Sequence, residues 1–222
     1  MLTPIQYVYA YPHPAIATDI VVFGIDEGKL GVLLIKRGEE PFKGAWALPG
    51  GFLQPDETIE ACARRELLEE TGLSAEVRLV GLFSEPMRDP RERVVSAAYL
   101  ACVDYRAARI RAGSDAAHAG WHLVAELPEL AFDHAAIIAA SRNRVRELAE
   151  AAPIATRLIP QPFTLAELQA AQEALLGRPL DKRNFRRDIT ARQWAIPANA
   201  QRRGKTRSAG VFATCSTNEN DD

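Results

Sequence analysis

Aliphatic and β-branched residues are concentrated in two runs near the start of the chain, residues 15–25 and 30–36. The segment between the runs, residues 26–29, reads Asp-Glu-Gly-Lys, a composition typical of a tight turn. The pattern therefore predicts a β-hairpin. Comparable apolar runs predict further strands near residues 75–83, 93–103 and 120–124.

Two helices are predicted among these strands. Thr58 is a suitable N-cap for the first, and Gly72 followed by Leu73 is typical of a helix C-terminus. Asp133 is placed to cap a second helix that runs to about residue 150. The apolar side of that helix consists of Ile137, Ile138, Val145 and Leu148. This arrangement belongs to the α/β class and fits an α/β/α sandwich around a mixed sheet.

Ala-Ala-Pro at residues 151–153 interrupts the pattern, and we place a domain boundary there. The first domain is predicted to span residues 1–152 and the second 153–212. The polar residues 213–222 are predicted to form a disordered tail.

The second domain has the pattern of a small winged helix-turn-helix. Thr164 and Glu167 have the spacing of a capping box at the start of one helix. Asp181 is placed to cap a second, basic helix, in which Phe185 faces inward. A basic turn at residues 202–207 is flanked by apolar residues and predicts a hairpin wing.

Charge is divided unevenly between the two domains. Residues 153–212 contain eleven Lys or Arg and four Asp or Glu, a balance of +7, whereas residues 1–152 carry −6. A basic surface can bind nucleic acid, although it can also be a solvated face. The whole chain has 222 residues with 47% hydrophobic and 25% charged, as in ordinary globular proteins.

The chain has no apolar run long enough to cross a membrane and no pattern typical of a signal peptide. Its three cysteines, Cys62, Cys102 and Cys215, have neither disulfide-framework nor zinc-site spacing. We therefore expect a cytoplasmic protein without a membrane partner.

Residues 51–73 read GFLQPDETIEACARRELLEETGL and carry the candidate chemistry. Glu66, Glu69 and Glu70 have i, i+3, i+4 spacing, which places three carboxylates on one face of a helix. A divalent cation such as Mg²⁺ would remove their repulsion, because it prefers oxygen ligands and is often shared with substrate phosphates. The alternative is a solvated acidic face with Arg65 as its counter-charge.

This segment resembles the Nudix hydrolase box, and every position of that pattern matches. The resemblance implies hydrolysis of a nucleoside diphosphate linked to another moiety, with Mg²⁺ or Mn²⁺ as cofactor. The implied metal ligands are Glu66, Glu69 and Glu70 together with the carbonyl of Gly50 or Gly51. Arg65 is expected to hold one of the glutamates in place, and Glu57 to brace the junction between loop and helix.

Four residues are candidates for binding the substrate: Gly51, Arg88, Arg91 and Asp115. The two arginines could contact phosphates or belong to a solvated loop. Asp115 is a candidate general base, although a box glutamate could serve instead, and Asp115 could simply form a turn near Gly113. The sequence leaves these alternatives open.

Three further segments, residues 88–91, 132–134 and 177–187, resemble the Nudix-related transcriptional regulators. That family joins a Nudix domain to a C-terminal winged helix, acts as homodimers, and senses ADP-ribose or a related nucleotide-sugar or dinucleotide ligand. The resemblance implies that residues 153–212 bind duplex DNA. The candidate DNA-binding residues are Lys182, Arg183, Arg186, Arg187, Arg202, Arg203, Lys205 and Arg207.

Two functions follow from these resemblances and are not exclusive. The first is a Mg²⁺-dependent pyrophosphohydrolase that converts ADP-ribose to AMP and ribose 5-phosphate. The second is a ligand-sensing regulator of NAD or sugar metabolism with little or no turnover. Many of those regulators have a degraded box, whereas the box of this chain is intact, which favours catalysis. A third reading gives the C-terminal domain a role in dimerisation only.

Overall fold

The fold was analysed in a computed structural model, which describes residues 9–108, 110, 116–203 and 208–214. The N-terminal part contains seven strands and two helices: β1 (Ala15–Asp26), β2 (Lys29–Arg37), β3 (Trp46–Ala47), β4 (Gly50–Phe52), α1 (Ile59–Thr71), β5 (Arg78–Phe83), β6 (Val94–Cys102), β7 (Ala116–Leu123) and α2 (His134–Ala151). The predicted hairpin is confirmed as β1 and β2, which pair antiparallel.

The seven strands form one mixed sheet. Its main path runs β3-β2-β1-β6-β5, while β4 pairs with β1 and β7 pairs with β2. Strands β1 and β6 are parallel, and the other pairs in this sheet are antiparallel. The sequence did not predict the short strands β3 and β4, which flank the loop at Leu48 and Pro49.

Alternate residues of β1 face opposite helices, as the period of a strand requires. Ile20 and Val22 pack on one face with Leu67 of α1. Val21 and Phe23 pack on the other face, in the cluster that contains α2. The three layers confirm the predicted α/β/α sandwich with a mixed sheet.

The C-terminal part contains a 3₁₀ turn (Ile154–Arg157), α3 (Leu165–Leu176), α4 (Lys182–Ala191), β8 (Ala195–Arg203) and β9 (Ser208–Thr214). The capping box is present: Thr164 Oγ1 accepts from the Glu167 N–H, and Glu167 Oε2 accepts from the Thr164 N–H. Asp181 caps α4 by accepting from the Asn184 N–H at 2.8 Å. Helices α3 and α4 with the hairpin β8–β9 confirm the winged helix.

Two predictions need correction. Asp133 stands at the N-cap position of α2 but makes no side-chain cap, because its carboxylate pairs with Arg88. Ala213 and Thr214 belong to β9 rather than to a tail, and residues 215–222 lie outside the described residues.

The two parts share a hydrophobic core. Val145 and Ala149 of α2 lie in the same buried cluster as Leu168, Ala171 and Leu175 of α3. The boundary between residues 152 and 153 therefore stays a prediction from composition. None of the helices in the described part of the chain is both long and apolar enough to span a membrane.

Candidate active site

Helix α1 presents the box glutamates, and its ends are fixed by local signals. Thr58 Oγ1 accepts from the Ala61 N–H at 3.1 Å, and Gly72 ends the helix in the left-handed conformation at φ 72°. Cys62 and Leu67 are buried against the sheet. The helix is thereby oriented with Glu66 and Glu70 beside the loop that joins β3 to β4.

Strand β4, which follows that loop, approaches α1 closely at two glycines, Gly50 and Gly51. A Cβ atom at Gly51 would overlap the carboxylate of Glu66, so a larger residue would displace the glutamate. The N–H of Gly50 donates to Glu70 Oε2 at 2.8 Å. Gly50 was predicted to offer its carbonyl oxygen to a metal ion. The contact that the structure shows is a different one, made by the backbone amide of Gly50.

Arg65 holds three acidic side chains. Its Nη2 and Nε donate to the two carboxylate oxygens of Glu57 at 2.6 and 3.0 Å. Its Nη1 donates to Glu66 Oε1 at 2.6 Å and to Glu69 Oε2 at 3.1 Å. The hydrogen bonds from Arg65 are the main reason that the pKa of Glu57 falls to about 2. Arg65 thus has the geometry of an organising residue.

Burial raises the pKa of both glutamates that face the loop. For Glu70, burial and the nearby charge of Glu66 outweigh the Gly50 hydrogen bond and raise the pKa to about 8. For Glu66, burial outweighs the effect of Arg65. Glu66 and Glu70 lie close together, and their surroundings disfavour the charged carboxylates. A hard divalent cation prefers oxygen ligands and would neutralise this charge, so the pair fits such a cation.

The three predicted metal ligands do not converge on one point. Glu70 is turned to Gly50, whereas Glu69 is largely exposed and pairs with Arg65. In the described part of the chain, no group of three or more His, Cys, Asp or Glu side chains is arranged to hold a metal ion. Their role as a triad therefore stays a prediction, and Glu66 and Glu70 are the pair that best fits the cation.

A cavity of about 70 Å³ opens beside Gly51 and Glu70. Arg91 lies on its wall, paired with Asp89 through two hydrogen bonds of 2.7 and 3.0 Å. Arg37 and Phe132 also line the cavity, and the Arg37 guanidinium lies 4.8 Å from the centre of the Phe132 ring.

Arg37 was not among the residues predicted from the sequence, and Phe132 was given no role there. No local signal marks Arg37, which is the last residue of β2. Phe132 has a positive φ of 54°, a conformation that only the structure reveals.

Arg88 lies in a buried ion-pair network. It is buried, and its Nε and Nη2 donate to Asp19 at 3.0 Å and to Asp133 at 2.7 and 3.0 Å. These hydrogen bonds give Arg88 a structural role. Arg88 also lines the cavity, so its contact with phosphates stays a prediction. Asp115, the candidate base, lies outside the described residues.

A buried polar network continues from Arg88 to the loop. His134 Nδ1 accepts from the Leu48 N–H at 2.9 Å, and His134 Nε2 lies 3.1 Å from Asp19 Oδ1. Burial alone would raise the pKa of Asp19, but His134, Ser96 and Arg88 together lower it to about 2. In the sequence, His134 was marked only as part of the segment 132–134.

Helix α4 presents a basic face to solvent. Lys182, Arg183, Arg186 and Arg187 are all exposed, while Phe185 and Ile189 are buried on the opposite side. In the wing, Arg202 and Arg203 are at the end of β8, but the positions of their side chains are not described. Lys205 and Arg207 lie outside the described residues.

Comparison with family models explains this combination of domains. A model described as the NUDIX domain matches residues 13–141, more than half of the chain. The chain belongs to the Nudix family. A second model, the NrtR DNA-binding winged helix domain, matches residues 155–213. Both matches confirm the resemblances predicted from sequence.

Individual relatives of this Nudix protein include both regulators and enzymes. The ADPR responsive transcriptional repressor NtrR of Acinetobacter baylyi is 36% identical over 80% of this chain and 72% of its own length. The ADP-ribose pyrophosphatase of Methanocaldococcus jannaschii is 46% identical over 58% of this chain and 73% of its own length. The crystal structure of Shewanella oneidensis NrtR complexed with a 27mer DNA superimposes with a TM-score of 0.80 at 31% identity, covering 90% of this chain and 93% of that one.

Proposed function

We propose that this protein is a transcriptional regulator that binds ADP-ribose in its Nudix domain and duplex DNA through its winged helix. The observation that carries the proposal is the combination in one chain of the cavity beside Glu70 with the exposed basic face of α4. Relatives support it, because the Acinetobacter repressor and the DNA-bound Shewanella regulator resemble both parts of the chain.

DNA binding is assigned to α4 and the wing. Phe185 and Ile189 anchor one side of α4, so the four basic side chains at 182, 183, 186 and 187 extend together from the other. A helix with such a face can enter the major groove, while a basic wing contacts the backbone or minor groove. Arg202, Arg203, Lys205 and Arg207 remain proposed wing contacts.

Binding of the pyrophosphate part of the ligand is assigned to the cavity at the end of β2, whose volume of about 70 Å³ is below the roughly 300–1,000 Å³ of sites that enclose a whole ligand of this size. Arg37 and Arg91 supply positive charge on its wall, and Phe132 supplies an apolar ring. A pyrophosphate-linked ligand requires both cationic and apolar surfaces, because it joins charged phosphates to sugars and a base. ADP-ribose is the ligand named for the Acinetobacter repressor, and we extend it to this chain.

We propose hydrolysis of ADP-ribose to AMP and ribose 5-phosphate as a second activity. The intact acidic face of α1 and the similarity to the Methanocaldococcus pyrophosphatase support it. Glu66 and Glu70, with Glu69 after reorientation, would hold Mg²⁺ or Mn²⁺. The cation supplies neutralisation of the pyrophosphate charge. Arg65 keeps the carboxylates oriented, and Arg91 offers a guanidinium to the phosphates.

A homodimer in the cytoplasm is part of the same proposal. Winged-helix regulators that bind paired half-sites do so as symmetric dimers. A protein that binds genomic DNA must lie in the compartment that contains the genome.

A mobility-shift titration on the DNA upstream of the protein's own gene tests the regulator. We expect the protein to bind this DNA more tightly than a random duplex at the same salt concentration, and ADP-ribose to change that affinity. Equal affinity for both duplexes, with and without ADP-ribose, would leave only the hydrolase. Release of AMP from ADP-ribose with Mg²⁺ present tests the second activity separately.

A further inference from the structure

The N-terminus of α2 forms part of the wall of the ligand cavity. Phe132 and His134 both line it. The Phe132 ring is contacted by the Arg37 guanidinium and, at a centroid distance of 4.9 Å, by Phe42. Asp133, between them, pairs with the buried Arg88. Three consecutive residues thus attach the beginning of this helix to the site.

His134 contacts the segment of residues 48–51, Leu-Pro-Gly-Gly, called here the glycine loop. Because its Nδ1 accepts from the Leu48 N–H, that nitrogen carries no proton, and Nε2 donates to Asp19. Leu48 lies two residues before Gly50, whose N–H donates to Glu70. The imidazole therefore fixes the position of the loop that separates α2 from the carboxylates of α1.

The other end of α2 is held by the winged helix. Val145 and Ala149 are buried in the core shared with α3, and the Gln172 side chain donates to the Ala149 carbonyl. Arg192, which follows α4, donates from Nη1 to the Glu150 carbonyl at 3.1 Å. The helix has 18 residues and is therefore about 27 Å long.

We propose that α2 transmits ligand occupancy from the Nudix cavity to the winged helix, and that His134 is the positioning residue that links the glycine loop to this helix. A ligand in the cavity lies against Leu48, Gly50 and His134, which all line it, so a change in the loop reaches through His134 a helix packed at both ends. A tilt of about 10° would move the far end of such a helix by about 5 Å. Packed helices shift as rigid bodies in this way during regulatory transitions. The inference rests on the proposed regulator function.

A second contact between the two parts of the chain provides a matched control. Arg157 of the 3₁₀ turn donates to Glu76, in the segment after α1, at 2.7 Å. This ion pair is partly exposed and does not involve α2. Glu76→Gln would weaken it without changing the contacts of His134.

Two polar substitutions separate the hydrogen bonds of His134. In His134→Asn, the amide oxygen can occupy the place of Nδ1 and accept from the Leu48 N–H. In His134→Gln, the amide nitrogen can occupy the place of Nε2 and donate to Asp19, but the acceptor for Leu48 is lost. Both variants keep a polar side chain in the buried network, and thermal melting checks that each is folded.

The experiment compares the DNA dissociation constant with and without α,β-methylene ADP-ribose, which cannot be cleaved. Ligand binding to each variant is measured by calorimetry, so that every titration is made at saturation. For the wild type we expect the ligand to change the dissociation constant by at least about fivefold, the lower end of ordinary allosteric coupling. We expect His134→Gln to bring this ratio within about twofold of one, while His134→Asn and Glu76→Gln keep the wild-type ratio.

The possible results are distinguishable. A ratio of one in the wild type overturns the proposed regulator itself. A wild-type ratio in His134→Gln, or an equal loss in Glu76→Gln, overturns the transmission through α2. Equal loss in both His134 variants overturns the assignment to the Leu48 hydrogen bond. A merely structural role of His134 would lower the melting temperature without changing the ratio.

Discussion

Removal of two arginines from α4 gives a quantitative test of DNA binding. Arg183 and Arg187 are exposed on the basic face, and Arg187 has an intrahelical contact to Asp188 at 3.1 Å. Neither side chain supports the core, because Phe185 and Ile189 provide the packing of α4. The double change Arg183→Ala and Arg187→Ala should therefore leave the fold intact and alter only the surface.

The magnitude follows from counterion release. Each neutralised phosphate contributes about 0.9 to the slope of log affinity against log salt concentration, so the loss of two lowers that slope by about 1.8. Between about 50 and about 200 mM salt, a fourfold rise, DNA affinity falls for both proteins. The factor by which it falls should be about twelve times smaller for the double variant than for the wild type. At low salt it should bind more weakly than the wild type.

Fluorescence anisotropy with a labelled duplex at several salt concentrations measures both slopes. Arg144→Ala is a suitable control, since Arg144 is exposed on α2 and pairs with Glu147. The control should keep the wild-type slope, and hydrolysis should be unchanged in the double variant. An unchanged slope in the double variant would show that these two side chains do not contact phosphates.

Three other predictions concern the Nudix domain. Glu70→Gln and Glu69→Gln should each lower the rate of ADP-ribose hydrolysis at least about a hundredfold. EDTA should abolish hydrolysis until Mg²⁺ or Mn²⁺ is restored. Near-wild-type turnover in both variants would refute the metal assignment. ADP-ribose should be cleaved faster than nucleoside triphosphates in a panel assayed for product, and a preference for dGTP or diadenosine polyphosphates would contradict this. Arg88→Met should lower the free energy of unfolding by about 3–5 kcal/mol, because Asp19 and Asp133 would lose their buried partner. Denaturant titration measures this free energy. A loss below about 1 kcal/mol would contradict the structural role of Arg88.

Local signals in the sequence predicted local structure well. Thr58, Thr164 and Asp181 cap their helices because each accepts a hydrogen bond from an N–H only three residues away. Such a contact depends on the adjacent residues and hardly on the rest of the fold. The Nudix motif is also a local signal, since its glutamates and glycines lie within one loop and one helix.

Long-range pairing explains where the predictions went wrong. Asp133 has the residue type and position of a cap, yet Arg88, 45 positions earlier, takes its carboxylate. The same ion pair gives Arg88 a structural role that its position in the sequence does not indicate. Arg37 lines the cavity because β2 ends beside the loop that carries Phe132. No spacing within a single segment contains this information.

The shared core changes how the two domains should be regarded. The composition at residues 151–153 predicts a domain boundary, and Val145 and Ala149 of α2, which precede it, are buried with residues of α3. A flexible linker would let the winged helix move independently of the ligand site, and occupancy of the site would then have no effect on DNA binding. Because Val145 and Ala149 of α2 are buried with α3, a shift of α2 as a whole would change its packing against the winged helix. This shared core is the structural condition that the proposed coupling between the Nudix cavity and the winged helix requires.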